Sequence, residues 1–266
     1  MTETTADWPP PAPGAAPLPA MIGAQAGLEL RTLVRNGEQL LLTLIIPVLL
    51  LAAFSSEPLV SFGPGRSTPA SRIDFLAPGI LALAVLSTAF TSQAIATGFE
   101  RRYGVLKRLG ATPLSRRGLI AAKTVTVAVV ELGQAVVIVA VGVALGWRPQ
   151  VAGAALVWTV LLILGGTAAF SGLALLMAGT LRAEATLAAA NLVYLVMLGI
   201  GGMVFPLSKF PAAAQPVLRL LPPGALSDGL RSVLQHGSGL PVADLLTLAV
   251  WAAAAIALAV RTFRWE

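Results

Sequence analysis

Residues 75–97 read FLAPGILALAVLSTAFTSQAIAT, residues 98–123 read GFERRYGVLKRLGATPLSRRGLIAAK, and residues 124–145 read TVTVAVVELGQAVVIVAVGVAL. The first block holds no charged side chain, and the third holds one, Glu131. Each is long enough to cross a bilayer core, which takes about 20 mostly apolar residues. The middle block carries seven basic residues, Arg101, Arg102, Lys107, Arg108, Arg116, Arg117 and Lys123, against one acid, Glu100. Two apolar segments joined by a basic connection fit two membrane helices linked on the cytoplasmic side. The fold class expected is an all-α membrane protein.

The rest of the chain agrees. Of 266 residues, 56% are hydrophobic and only 11% are charged. An average soluble domain is about 25% charged, so a soluble sphere of this length would lack the charge to cover itself. A cytosolic enzyme, a nucleic-acid-binding domain and a disordered chain are excluded on that ground. The net charge of +6, from 18 basic and 12 acidic residues, reads as membrane orientation and not as affinity for nucleic acid. There is no cysteine and one histidine, His236. Thiol chemistry and clustered histidine ligands for zinc or haem are therefore out, and no metal site is expected. Asp7, Asp74, Asp228 and Asp244 are scattered, so no Asp-rich diphosphate motif exists.

Six spans are expected, at about 40–54, 75–97, 124–145, 151–177, 187–205 and 245–260, with Pro47 kinking the first. Residues 1–20 hold six prolines and read as a disordered cytoplasmic tail, not a signal peptide. Residues 21–266 form a single membrane domain. Within it, 22–38 mix apolar and charged positions and fit a helix on the membrane surface or a solvated lead-in to the first span. With the N-terminus inside, twelve of the 18 basic residues fall on the cytoplasmic side and six outside, placing both termini inside. Between spans five and six, Pro206, Pro211, Pro216, Pro222 and Pro223 forbid one long helix. The apolar pieces 217–221 and 225–234 are too short to span, so re-entrant or interfacial short helices are expected.

The basic connection has internal structure. A helix over 99–109 would put Phe99, Tyr103 and Leu106 on one face, with Arg101 and Arg108 opposite. Gly110 would stop it, and Thr112 with Pro113 would restart the chain into span three. A lipid-binding anchor is the alternative reading of the same residues. The string Phe99-Glu100-Arg101-Arg102, Gly104-Val105-Leu106-Lys107-Arg108-Leu109 and Ala111-Thr112-Pro113-Leu114-Ser115 resembles a signature of the membrane subunits of ABC-2 type (type V) ABC transporters. Val105 stands where threonine is common. The 205–231 segment is similar to that family's last external segment.

The resemblance implies that 99–109 is a cytoplasmic coupling helix. Phe99, Glu100, Arg101, Arg102, Tyr103, Gly104, Leu106, Lys107, Arg108 and Leu109 would then meet an ATP-binding subunit. This chain has no P-loop: Gly118-Leu119-Ile120-Ala121-Ala122-Lys123-Thr124 lacks the glycines that cradle phosphate, and Lys123 reads as an interfacial anchor. No cofactor is expected in the chain itself, with ATP and Mg held by a separate P-loop partner. Six spans are half of a usual ABC membrane domain, implying a homodimer or a pair with a paralogous permease.

Glu131 is the one acid deep in a span, and Gln134 shares its face at i+3. With Gln93 and Asn191 they are the candidates to line a translocation path; interhelical hydrogen bonding is the bland alternative. The function implied is an exporter permease for a lipophilic substrate (drug, antibiotic or lipid-like) in a bacterial plasma membrane. A proton- or ion-coupled secondary transporter and a non-catalytic membrane assembly factor remain as alternatives. No catalytic residue is expected.

Overall fold

The uncharged run at 75–97 lies inside an unbroken helical rod, Ser71–Arg102. The computed structural model describes residues 14–35, 37–56, 69–150, 153–237 and 239–263. The rod consists of α3 (Pro69–Val85), a π-helical stretch (Leu86–Ser92) and α4 (Gln93–Arg102). π-Turns are rare and are frequent at functional sites. Before the rod come α1 (Leu18–Arg35) and α2 (Gly37–Ser56). After it come α5 (Val105–Gly110), α6 (Arg116–Ala144), α7 (Ala155–Thr180) and α8 (Ala183–Ile200). The chain closes with α9 (Gln215–Arg219), α10 (Pro222–His236) and α11 (Val242–Thr262). No strand occurs among the described residues.

Burial divides these helices. The rod is the centre: Leu76, Ile80, Leu83, Leu86 and Phe90 share one apolar core with Phe170 of α7 and Leu226 and Leu230 of α10. By contrast, α6, α8 and α11 bury less than a third of their apolar stretches inside the protein. Such faces would be untenable in water and suit lipid. Helix α7 packs along α11 in the same direction through glycines seven residues apart. A Cβ on Gly165 would meet Leu248 at 3.4 Å, on Gly172 Ala255 at 2.9 Å, and on Gly179 the Phe263 ring at 2.7 Å. Small residues at such a seam let backbones approach where no hydrophobic force drives association.

The ends are distinct. At one end, Leu106, Leu114, Leu119 and Phe263 cluster with Met21 and Leu109, so α1, α5, the start of α6 and the end of α11 lie together. Arg101 donates to the Leu181 carbonyl and Arg102 pairs with Glu184, which adds the α7–α8 turn to this end. At the other end, the Gln150 amide donates to the Leu234 carbonyl at 2.8 Å, joining the α6–α7 connection to α10. Arg231 holds that end: Nη2 donates to the Met203 carbonyl at 3.0 Å, Nε donates to the Phe75 carbonyl at 3.3 Å, and the guanidinium sits 3.9 Å from the Phe75 ring centre. Burial raises the Asp228 carboxyl above its ordinary range, while Arg231 and Arg219 oppose the shift.

The chain is all-helical as expected, with boundaries that differ. Five helices among the described residues are long and apolar enough to cross a membrane: Ser71–Arg102, Arg116–Ala144, Ala155–Thr180, Ala183–Ile200 and Val242–Thr262. The expected span 40–54 falls within α2, whose apolar stretch Thr43–Ser55 is shorter than these, with Pro47 inside the helix. The span placed at 124–145 starts at Arg116, because the Ser115 hydroxyl accepts the Gly118 N–H and caps the helix there. The span placed at 187–205 is α8, shifted to Ala183–Ile200. Arg182 is its extended cap residue, Glu184 sits in its first turn, and the chain turns away through Gly202 at φ 70°. The span placed at 151–177 begins at Ala155 after Gly153, at φ 60°, with 151–152 outside the described residues. The tail set at 1–20 yields to helix at Leu18, since proline is tolerated in a first turn; residues 1–13 lie outside the described residues.

Candidate functional site

The basic connection is built around one glycine. Helix α4 stops at Arg102, and Gly104 takes a left-handed conformation (φ 73°) before α5. The single helix expected over 99–109 is therefore broken, because that backbone turn suits glycine and cannot continue an α-helix. Thr112 does not cap the next helix: its hydroxyl donates to the Leu109 carbonyl at 2.6 Å and accepts the Leu114 amide at 3.3 Å. That local turn hands the cap to Ser115. Leu106 is wholly buried in the end cluster and fastens α5 to the body. Tyr103, 69% exposed, Lys107, Arg108, Arg116 and Arg117 face outward. The Phe99 and Tyr103 rings remain stacked, 6.1 Å apart. The outcome is a short, anchored platform with an aromatic and basic outer face.

Glu100 points the other way. Its Oε2 lies 2.7 Å from Lys123 Nζ, and Glu29 Oε1 of α1 lies 3.2 Å from the same ammonium. Lys123 is 3% exposed. The expectation of an interfacial lysine anchor is thus replaced by a three-residue cluster around a buried ammonium, its two carboxylates partly exposed. The reason is geometric: Lys123 sits one turn from Leu119 and Val127, both buried, so its stem enters the protein and its charge is met there by two carboxylates. Gln25 Nε2 donates to Glu29 Oε1 at 2.9 Å. The cluster ties α1, the lower rod and α6 together.

Above it runs a polar seam. Thr88, in the π-helical stretch, donates to Gln134 Oε1 at 3.1 Å, and Gln134 Nε2 donates to the Thr43 carbonyl of α2 at 3.4 Å. Thr167 of α7 donates to the buried Glu131 carboxylate. A cavity of about 390 Å³ opens between α1, α2, the rod, α5 and α6. Its lining includes Glu29, Glu100 and Lys123, together with Thr88 and Gln93. Gln93 is 6% exposed, yet neither its amide oxygen nor its nitrogen has a hydrogen-bond partner among the described residues.

Glu131 and Gln134 are therefore brought together on α6, each bonded to a neighbouring helix, and Gln93 lines the cavity nearby. Asn191 is not part of this group: it is exposed on α8 and donates back to the Leu187 carbonyl of its own helix at 2.9 Å. Of the expected docking residues, Tyr103, Lys107 and Arg108 are outward, while Glu100 and Leu106 serve the interior. Sequence reasoning missed Glu29, Thr43, Thr88 and Thr167. The hydroxyl-rich run 87–92 was the available signal for Thr88, whereas the threonines on α2 and α7 are ordinary in any span.

Five apolar helices long enough to cross a bilayer, three of them with apolar faces left largely uncovered by the rest of the protein, mark a multi-pass membrane protein. The sequence profile of the ABC-2 type transporter family matches residues 26–234. The chain belongs to this family, whose permeases are membrane subunits of transporters and normally work with an ATP-binding subunit. No curated protein matches the chain in sequence.

Proposed function

We infer that this permease is one half of an ATP-driven exporter, moving a lipophilic substrate outward across a bacterial plasma membrane. ATP and Mg would be held by a partner chain, and a second permease, identical or paralogous, would complete the pathway. The observation that carries the reading is the platform at 103–108, anchored by Leu106 and carrying Tyr103, Lys107 and Arg108 outward. Its basic face suits an acidic groove on a soluble partner. Force applied there reaches the spans by two routes: Arg102 to Glu184 at the start of α8, and Glu100 to Lys123 in α6. Both termini would then be cytoplasmic, since α1 and the end of α11 share the platform's end. Glu131 and Gln134 act as ties between helices, and Gln93 faces the path. Co-purification tests this. Lys107→Glu with Arg108→Glu should separate the permease from its ATPase, and retention of the intact complex counts against the reading.

A further inference from the structure

We propose that the cavity between α1, the rod and α6 is a binding site for a monovalent lipophilic cation. Among the described residues, the charged side chains that line it are Glu29, Glu100 and Lys123. Lys123 neutralises one carboxylate, so with all three ionised the cluster keeps one negative charge. The spare charge lines the cavity on carboxylates only 18% and 29% exposed, where partial burial lowers the effective dielectric and strengthens attraction for a cation. A ligand ammonium or other monocation brings the sum to zero; an anion doubles the imbalance.

A second observation is independent of charge. Gln93 and Thr97 lie one turn apart on the rod and both line the cavity. Gln93 is 6% exposed and Thr97 is fully buried, and neither side chain has a hydrogen-bond partner among the described residues. Buried amides and hydroxyls are satisfied in the great majority of cases, and the exceptions need a reason. The Gln93 oxygen and the Thr97 hydroxyl can accept from an ammonium N–H, and the Gln93 nitrogen can donate to a ligand oxygen. The remaining wall is largely apolar, with Leu33, Val127 and Val130 to cover a hydrophobic body. About 390 Å³ falls in the range of small-molecule sites, about 300–1,000 Å³. Val105 and Leu109 of the platform helix close one side, so an occupant touches the element proposed to meet the ATPase. That the bound cation is cargo rests on the exporter reading; that it binds does not.

The experiment uses the full chain in phosphatidylcholine nanodiscs. Saturable binding is measured for tetraphenylphosphonium and for tetraphenylborate, ions of similar shape and opposite charge. Wild type should bind the cation at least tenfold more tightly than the anion. Glu29→Gln, which makes the cluster neutral, should weaken cation binding at least tenfold, and Gln93→Leu should weaken it by removing the amide oxygen's dipole from beside the charge. Should Glu29→Gln fail to fold, the ion pair on wild type and Gln93→Leu still decide. Adding stearylamine, a lipid whose headgroup is a bare ammonium, separates two sources: displacement of the probe identifies a lipid ammonium as occupant, and no displacement identifies a separate cation. Equal affinity for the two ions, absence of saturable cation binding, or affinity unmoved by both variants overturns the proposal. Co-purification with the ATPase is read separately and survives that failure.

Discussion

Lys123 Nζ lies 2.7 Å from Glu100 Oε2 and 3.0 Å from Glu100 Oε1, a contact between the first third of α6 and the foot of the central rod. The platform helix starts five residues beyond Glu100, after the Gly104 turn. A displacement of the platform therefore reaches two spans through one buried ammonium. With Glu29 on the same head, the surface helix α1 moves with them.

Removing that ammonium should be severe. Lys123→Met leaves the Glu29 and Glu100 carboxylates, 18% and 29% exposed, without their cation; breaking a fully buried pair costs about 3–5 kcal/mol, and partial solvation of these two brings the expected loss down to about 1–3 kcal/mol. Reversible unfolding in mixed micelles should show a loss of that order. Restoring balance with Glu29→Gln and Glu100→Gln alongside Lys123→Met should recover most of it. A Lys123→Met protein as stable as wild type would mean the cluster contributes nothing.

The α7–α11 seam predicts a contrast between two glycines. A Cβ on Gly172 would sit 2.9 Å from Ala255 Cβ and 3.0 Å from the Ile256 amide nitrogen, whereas one on Gly199 meets nothing within 4 Å. Gly172→Ala should destabilise by about 1–3 kcal/mol through overpacking. Gly199→Ala should be neutral or stabilising by up to about 1 kcal/mol from helix propensity. The same unfolding assay reads both, and the reverse order would contradict the parallel packing.

Thr167→Val should lose little. Hydrogen bonds between membrane helices average about 0.6 kcal/mol and reach about 1.7. Glu131→Gln keeps an acceptor for the Thr167 hydroxyl and should leave stability and transport near wild type. Transport abolished by Glu131→Gln in folded protein would assign this carboxylate to the path or to proton coupling, against its role as a tie.

Arg231 predicts a shape-dependent effect. Its guanidinium reaches two backbone carbonyls and stacks on Phe75, which an ammonium cannot reproduce. Arg231→Met should lower stability by about 1.5–3 kcal/mol, the range for hydrogen bonds involving a charged group. Arg231→Lys should recover only part of the loss. Full recovery by lysine would show that charge alone matters there.

Much of the fold was legible in the sequence because absent charge is a strong signal: nothing ionisable occurs from Phe75 to Thr97, and that run became the buried rod. Span ends were less legible, because they rest on local competition. The Ser115 hydroxyl won the cap over Thr112, and Gly104 broke a helix whose apolar spacing ran straight through it. The family signature at 99–115 marked the platform but not which residues point outward; Leu106 and Glu100 turn inward because of Phe263 and Lys123, partners far away in the chain. Nor could spacing reveal the π-helical stretch, since Leu86 and Phe90 keep the i, i+4 apolar spacing any α-helix would share. Glu131 and Gln134 were found because intramembrane polar residues are rare, but their threonine partners are not rare and passed unnoticed.

The most direct test of the coupling role is ATPase stimulation in a reconstituted complex of this permease with its ATP-binding partner. Lys107→Glu with Arg108→Glu alters exposed platform residues and should leave the permease folded in nanodiscs while abolishing its stimulation of ATP hydrolysis. Gly104→Ala, which strains the turn beneath the platform, should reduce it. Unchanged stimulation by the folded double variant would contradict the account.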